Sequence, residues 1–186
     1  MRVAIDATPL IGSRTGIGVF VDGLLRSFQD YIPDEAEYEV ATYTLSLKAR
    51  IRGSTHGHWV PLPARGSAFV WRTFGGPKIE RFVGDIDVVH GTNFLVPPSK
   101  VSRVISVHDL SFLNDFRSDR NSNRRFDHSV KEAVNSGATV HTISEHVAEE
   151  IRDKYGAKDV RVVYPGVEQK PAVTKTFPEQ PTLLAV

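Results

Sequence analysis

The first thirty residues constrain this chain more than any other stretch. A short apolar run, Val3 to Ile5, turns polar at Asp6, and a loop containing Gly12, Ser13, Thr15, Gly16 and Gly18 follows. Then Ile17, Phe20, Val21, Leu24, Leu25 and Phe28 recur at offsets of three and four, which places these apolar side chains on one face of a helix. Strand, glycine loop and helix in that order open an α/β fold with a Rossmann-like open, mostly parallel sheet and helices on both faces. The loop falls at the carboxyl end of the first strand, where such sheets hold ligands, and the helix start offers free N–H groups and a positive dipole end suited to phosphate or sugar oxygens. The tight glycines read Gly16-x-Gly18-x-x-Val21, so the third glycine of the dinucleotide fingerprint is missing. The loop from Asp6 to Gly16 is also longer than a typical strand-to-helix turn. Two uses of the glycines stay open: packing helix on strand, or letting a ligand approach bare backbone.

The 186 residues suffice for one real core, as a single domain or a domain with a short extension. A formal net charge of +1 provides no global field to attract nucleic acid. The absence of cysteine removes disulfide and thiol chemistry and fits a reducing cytoplasm. The opening residues do not read as a signal peptide, and no apolar run approaches membrane-spanning length.

Along the chain, Tyr38 to Leu47 alternates and is rich in β-formers, which predicts a second strand. Arg50 to Pro63 reads as loop, with a short strand at His58 to Leu62. His56-x-His58 has metal-ligand character but no acidic or thiol partner nearby, and two exposed loop histidines are the plainer reading. Ser67 to Val83 is predicted helical in two pieces, broken at Gly75-Gly76-Pro77. Its Phe69, Val70, Trp71, Phe74 and Phe82 are interspersed with Arg72, Lys78 and Arg81, with Arg65 just before; this suits either a core-facing helix or a segment resting on an anionic membrane surface.

Asp85 to His90 and Val101 to Val107 are predicted buried strands, the first leading into Gly91, Thr92 and Asn93 and the second into His108-Asp109. If the two strands are parallel neighbours, His90 and His108 both face the crevice at the carboxyl edge, beside Asp109 and Asn93, and mark a candidate site. Leu110 to Ser118 is an irregular loop. Asp119 to Ser136 is predicted helical, with Phe126, Val130, Ala133 and Val134 inward and Gly137 closing it. Arg117, Arg120, Arg124 and Arg125 near its start suit an anionic ligand or simply a solvated face. Ala138 to Ile143 is a strand, Ser144 caps a helix with Gly156 after it, and Val160 to Tyr164 is a strand ended by Pro165-Gly166. Residues 168–181 read as a proline-containing linker, and 182–186, TLLAV, as the first strand of a further domain.

Five segments in this order, MRVAIDATPLIGSRTGIGVFVDGLL, DVVHGTNFLVPP, VISVHDLSF, TVHTISEHVAEEIRDKYG and VRVVYPGV, resemble the amino-terminal domain of glycosyltransferase family 4, a retaining family of the GT-B fold. The likeness covers Met1 to about Val167, and its flavour is that of the bacterial mannosyltransferase-like branch that builds polysaccharides and glycolipids. The resemblance implies residues 1–167 as an acceptor-side domain, with a donor-binding second domain beginning after the linker. It also implies transfer of a sugar from a nucleotide diphosphate sugar to a glycan or lipid-linked acceptor, by front-face attack in which the departing phosphate takes the acceptor proton. By the same resemblance His108 and Asp109 are the catalytic candidates. Gly16, Ile17, Gly18, Thr92, Asn93, Ser144, Pro165 and Gly166 are the substrate-binding ones, although Pro165 stands where many relatives carry Asn. No cofactor and no metal are expected beyond the donor itself. Expected partners are the second domain, the acceptor and a peripheral membrane surface, with no nucleic acid, in the cytoplasm or at the inner face of the plasma membrane. The alternative reading is a stand-alone subunit that docks on an acceptor or membrane and pairs with a separate donor-binding chain.

Overall fold

The computed structural model describes residues 1–12, 15–31, 38–51, 56–62, 67–113 and 120–167. The expected linker 168–181 and final strand 182–186, and Ser13, Arg65 and Arg117, lie outside them.

The elements run β1 (Arg2–Asp6), α1 (Gly16–Tyr31), β2 (Glu39–Thr44), α2 (Leu47–Ile51), β3 (His58–Trp59), α3 (Ser67–Phe74) and α4 (Glu80–Val83). Then come β4 (Val88–Gly91), β5 (Ser102–Ser106), α5 (Arg120–Asn135), β6 (Thr139–Thr142), α6 (Glu145–Tyr155) and β7 (Val160–Val162). Short 3-10 turns follow β1 at Thr8–Leu10 and β5 at Ser111–Leu113. All seven strands form one sheet in the order β3-β2-β1-β4-β5-β6-β7. Every pairing in it is parallel, so the sheet is an all-parallel, Rossmann-like one.

Strand alternation divides the side chains between two unlike faces. On one, Ala4, Tyr43, Val89, Ile105 and Val140 join a single apolar cluster with Trp71 of α3, Val83 of α4, Val130 and Ala133 of α5, and Val147 and Ile151 of α6. The other face lies under α1, whose Phe20 ring stacks on His141 and meets His108 edge-on. Ile5 and Val21 are fully buried on their own account, outside the large cluster. The apolar side has the composition of a doubly covered parallel sheet, while the α1 side carries histidine, serine and threonine.

Local signals account for most boundaries. Ser144 Oγ accepts from Val147 N at 3.3 Å to start α6, and Gly156 ends it with its N–H on Arg152 O at 2.8 Å. The two-piece helix over 67–83 is observed with its break at Gly75 to Pro77. Its aromatic residues divide: Trp71 is buried and Phe82 packs on the core, but Phe69 is exposed. α2 is the element the sequence reading missed. It follows β2 directly, and Ser46 Oγ accepts from Ala49 N at 3.1 Å, an N-cap that strand-like alternation through Leu47 conceals. The predicted strand at His58 to Leu62 shrinks to His58–Trp59.

Gly91 closes β4 where the chain doubles back, and a Cβ there would overlap the carbonyl of Leu95. Phe94, in the same loop, sits at φ 54° with its N–H on Ser106 O at 3.1 Å. We expect Gly91→Ala to cost about 2–3 kcal/mol, since backbone rather than a flexible side chain would have to move. Urea unfolding checks this; a midpoint equal to the parent's would show that the loop shifts freely.

Candidate functional site

The strand order reverses between β1 and β4, because the chain winds one way from β1 to β2 and β3 and the other way from β4 to β7. Open α/β sheets hold ligands outside the carboxyl ends of strands at such a point. The segments that meet at this edge follow β1, β4, β5, β6 and β7.

The same device shapes the turns after β1 and β5. Asp6 Oδ1 accepts from both the backbone N–H and the hydroxyl of Thr8, and Asp109 Oδ1 accepts from both the backbone N–H and the hydroxyl of Ser111. Each is an Asp-x-Thr/Ser turn leading into a 3-10 turn. Asp109 is thus engaged in holding its loop. The Thr8 hydroxyl oxygen also accepts from Leu45 N at 2.9 Å, which ties the first turn to the end of β2.

Thr92 spans the reversal. Its hydroxyl donates to Asp6 O at 2.8 Å, and its carbonyl accepts from His108 Nε2 at 3.0 Å. The Thr92 side chain is fully buried and its hydroxyl is used, so it offers nothing to a ligand directly. Phe20, with ring centroids 5.0 Å apart, and Phe94, at 6.3 Å, hold the His108 ring edgewise. A carbonyl can only accept, so Nε2 carries hydrogen and Nδ1 of neutral His108 is an acceptor with no hydrogen-bond partner among the described residues.

The start of α1 separates its glycines. Thr15 caps the helix, its hydroxyl accepting from Gly18 N at 3.4 Å. A Cβ on Gly18 would come within 2.8 Å of Pro9 O, so this glycine serves helix packing. A Cβ on Gly16 would meet nothing within 4 Å. The N–H groups of Gly16 and Ile17 have no partner among the described residues, so these two positions are open to a ligand.

Beneath the edge a polar chain crosses three strands. His90 Nε2 lies 2.7 Å from Ser106 Oγ, and Ser106 Oγ lies 2.8 Å from His141 Nδ1. His141 also hydrogen-bonds the backbone of Val163, which favours its protonated form. The three side chains form one linked set, in which the single Ser106 hydroxyl hydrogen serves one of the two ring nitrogens and the other ring donates to Ser106 Oγ. Burial, with His141 and His108 nearby, pushes His90 down to about 4. Burial also lowers His141, with His108 adding to the effect. Asp6, buried at the same edge, moves the other way, up to about 6, because burial outweighs its bonds from Thr8.

His90 therefore does not look into the crevice beside His108. β4 extends to Gly91, so His90 lies within the strand and its side chain joins the chain under α1. Asn93 is half-buried in the loop after β4, with no side-chain hydrogen-bond partner among the described residues. Ser144 uses its hydroxyl on the α6 cap. Pro165 and Gly166 are exposed after β7. Arg125 lies over the Phe126 ring at 5.1 Å, and Arg124 is exposed. His56 and His58 are exposed, and no group of three or more His, Asp or Glu side chains able to hold a metal occurs among the described residues. The sequence reading passed over Asp6, Ser106 and His141 as site-building residues. The available signal was the repeat of Asp-x-Thr and Asp-x-Ser at two strand ends.

Fold and edge together define an open parallel α/β domain of the kind that forms the amino-terminal half of GT-B glycosyltransferases. The chain belongs to Glycosyltransferase Family 4, whose model matches residues 15–170. No curated protein matches the chain.

Asp6 and His90 oppose each other in pH dependence. Stability carried by Asp6 is fully present below 3.8 and is lost as pH rises through about 6. Stability carried by His90 is fully present above 6.5 and is lost as pH falls through about 4. At about 1.4 kcal/mol per pH unit, each is worth roughly 3 kcal/mol. Asp6→Asn keeps the acceptor for Thr8 but removes the titration, so its stability should fall more steeply than the parent's as pH drops from about 6.5 to 4, whereas His90→Gln should shift the slope the other way, toward stability that rises as pH drops. Urea midpoints across this range test the pair; parallel curves for Asp6→Asn and parent would show that Asp6 titrates normally.

Proposed function

We propose that this chain is the acceptor-side domain of a retaining glycosyltransferase that moves a hexose, mannose by the resemblance, from a nucleotide diphosphate sugar to a glycan or lipid-linked acceptor. The observation that carries the reading is the carboxyl edge of a family member at which the open start of α1, after β1, and the half-buried His108, after β5, come together, with Phe20 of α1 against the His108 ring. The N–H groups of Gly16 and Ile17 would meet phosphate or sugar oxygens, where a helix start favours negative charge. His108 would meet the reacting sugar, and Asn93 would supply an amide to a hydroxyl. Charge on the departing diphosphate is what such groups stabilise, and that phosphate takes the acceptor proton in front-face attack. A donor-binding second domain completes the site. Support for this is the exposed run Val163, Tyr164 and Val167 at the same edge, 59%, 67% and 89% accessible.

The first test is transfer from GDP-mannose and UDP-glucose by the chain extended through its downstream reading frame, with residues 1–186 alone as control. Transfer by the extended protein and none by the short one is the expected result. Turnover by the short chain would remove the requirement for a second domain. Gly16→Ala in the active protein should keep folding stability within about 1 kcal/mol and lower transfer about tenfold. Gly18→Ala should instead cost about 1–3 kcal/mol of stability against the Pro9 carbonyl. Equal effects of the two on transfer and stability would assign both glycines to packing.

A peripheral membrane contact in the cytoplasm, in a bacterial polysaccharide or glycolipid pathway, is the second reading. Leu47, Ile51 and Phe69 support it, being 53%, 78% and 59% exposed, as does the basic character of this part of the chain. No helix among the described residues is long and apolar enough to cross a membrane. Flotation with vesicles containing anionic lipid should carry the protein upward, and Ile51→Asp should reduce this; protein left at the bottom would dismiss the contact.

A further inference from the structure

The geometry points to Thr92 as the positioning residue that fixes the tautomer of His108, so that this histidine faces its ligand as a hydrogen-bond acceptor. The inference rests on the reading of His108 as the group that meets the sugar. Thr92 touches no ligand in this scheme. It acts through two bonds on either side of the strand reversal, from its hydroxyl to Asp6 O at 2.8 Å and from His108 Nε2 to its carbonyl at 3.0 Å.

The Thr92 carbonyl is useful only if it stays still. It belongs to the loop that follows β4, and that loop is clamped at three points. Gly91 packs so close to Leu95 that no side chain fits. Phe94 N–H reaches Ser106 O at 3.1 Å. The Thr92 hydroxyl is anchored to the main chain at the end of β1. Of the three, the hydroxyl bond is the one that sets Thr92 itself against β1, whose turn leads to the start of α1. It therefore references His108 to the neighbouring wall of the crevice.

Fixing hydrogen on Nε2 determines the other nitrogen. In neutral His108, Nδ1 carries a lone pair and accepts from a ligand O–H. A ring free to exchange tautomers would present a donor part of the time, and an ether or phosphoryl oxygen could then compete for it. The Thr92 carbonyl thus makes the site selective for a hydroxyl group. Phe20 and Phe94 limit the tilt of the ring, but neither can choose between its nitrogens.

The variant that isolates the hydroxyl is Thr92→Val, which keeps the branched shape. Its control is Thr92→Ser, which keeps the hydroxyl and drops the methyl. The first readout is ring 15N chemical shifts of His108 in residues 1–186 at alkaline pH. The parent and Thr92→Ser should show the Nε2–H tautomer, and Thr92→Val should show a mixture of both. The second readout is the transfer assay on the active protein: Thr92→Val should lower kcat by about 10- to 100-fold with little change in acceptor KM, and Thr92→Ser should stay within about twofold. A pure Nε2–H tautomer in Thr92→Val, or loss of it in Thr92→Ser, overturns the positioning role. The Thr92→Ser result decides this even if Thr92→Val does not fold. A mixed tautomer with undiminished transfer overturns His108 as the sugar-facing group instead, so failure of the functional reading is seen separately from failure of the positioning one.

Discussion

A parallel sheet that is extended in both directions from its first two central strands must open at its carboxyl edge. β1 sends its helix toward β2, and β4 begins the run toward β7, so the connections that leave these two neighbours depart in opposite directions. Nothing in the backbone ladder closes the gap between them above the last paired residues, Ile5 and His90. Backbone groups exposed there still need partners, and an unpaired buried carbonyl is costly. The Thr92 hydroxyl answers this at Asp6 O, and the Asp6 carboxylate answers it at Thr8. The crevice is a consequence of strand order, and its shape comes from how side chains satisfy the ends it leaves.

The two faces of the sheet divide the work of stability and site building. One face packs a continuous apolar cluster against α3 to α6 and owes its strength to area removed from water. The α1 face contains a chain of hydrogen bonds in place of much of that apolar surface. Such a network stabilises only when every member is satisfied, and the run from His90 through Ser106 to His141 engages all three side chains. Protonating both rings would turn two donors toward Ser106 Oγ and leave the serine hydrogen without an acceptor in the run. The lowered affinity of both histidines for protons is thus the electrostatic side of a geometric fact.

Much of the fold was legible because apolar alternation, a glycine loop and capping residues recur where each element starts and stops. Ser144 and Gly156 bracket α6 as the residue types require. The site was less legible for one specific reason. His90 and His108 look alike in sequence, each a histidine after an apolar run, but β4 extends one residue past His90, while β5 stops at Ser106, two residues before His108. That small difference in where pairing stops sends one ring into the chain under α1 and leaves the other at the rim. Sequence pattern locates strands to within a few residues, which is coarser than the offset that separates a structural histidine from one at the rim. Thr92 posed the complementary problem: its place in the chain marks the crevice, but only the structure shows that its hydroxyl is already spent.

The strongest mark of the site is the contrast between two histidines in similar surroundings. His108 donates Nε2–H to the Thr92 carbonyl, and His141 lies between Ser106 and the Val163 backbone. Both rings touch Phe20. The Nδ1 of His141 is occupied by Ser106, and the fold uses that ring completely. The Nδ1 of His108 has been given its tautomer and then left without a partner among the described residues. Orienting a ring has an entropic cost that a purely structural histidine recovers by using both nitrogens. At His108 only one is used among the described residues, which leaves Nδ1 of this half-buried ring open to solvent or to a ligand at the rim.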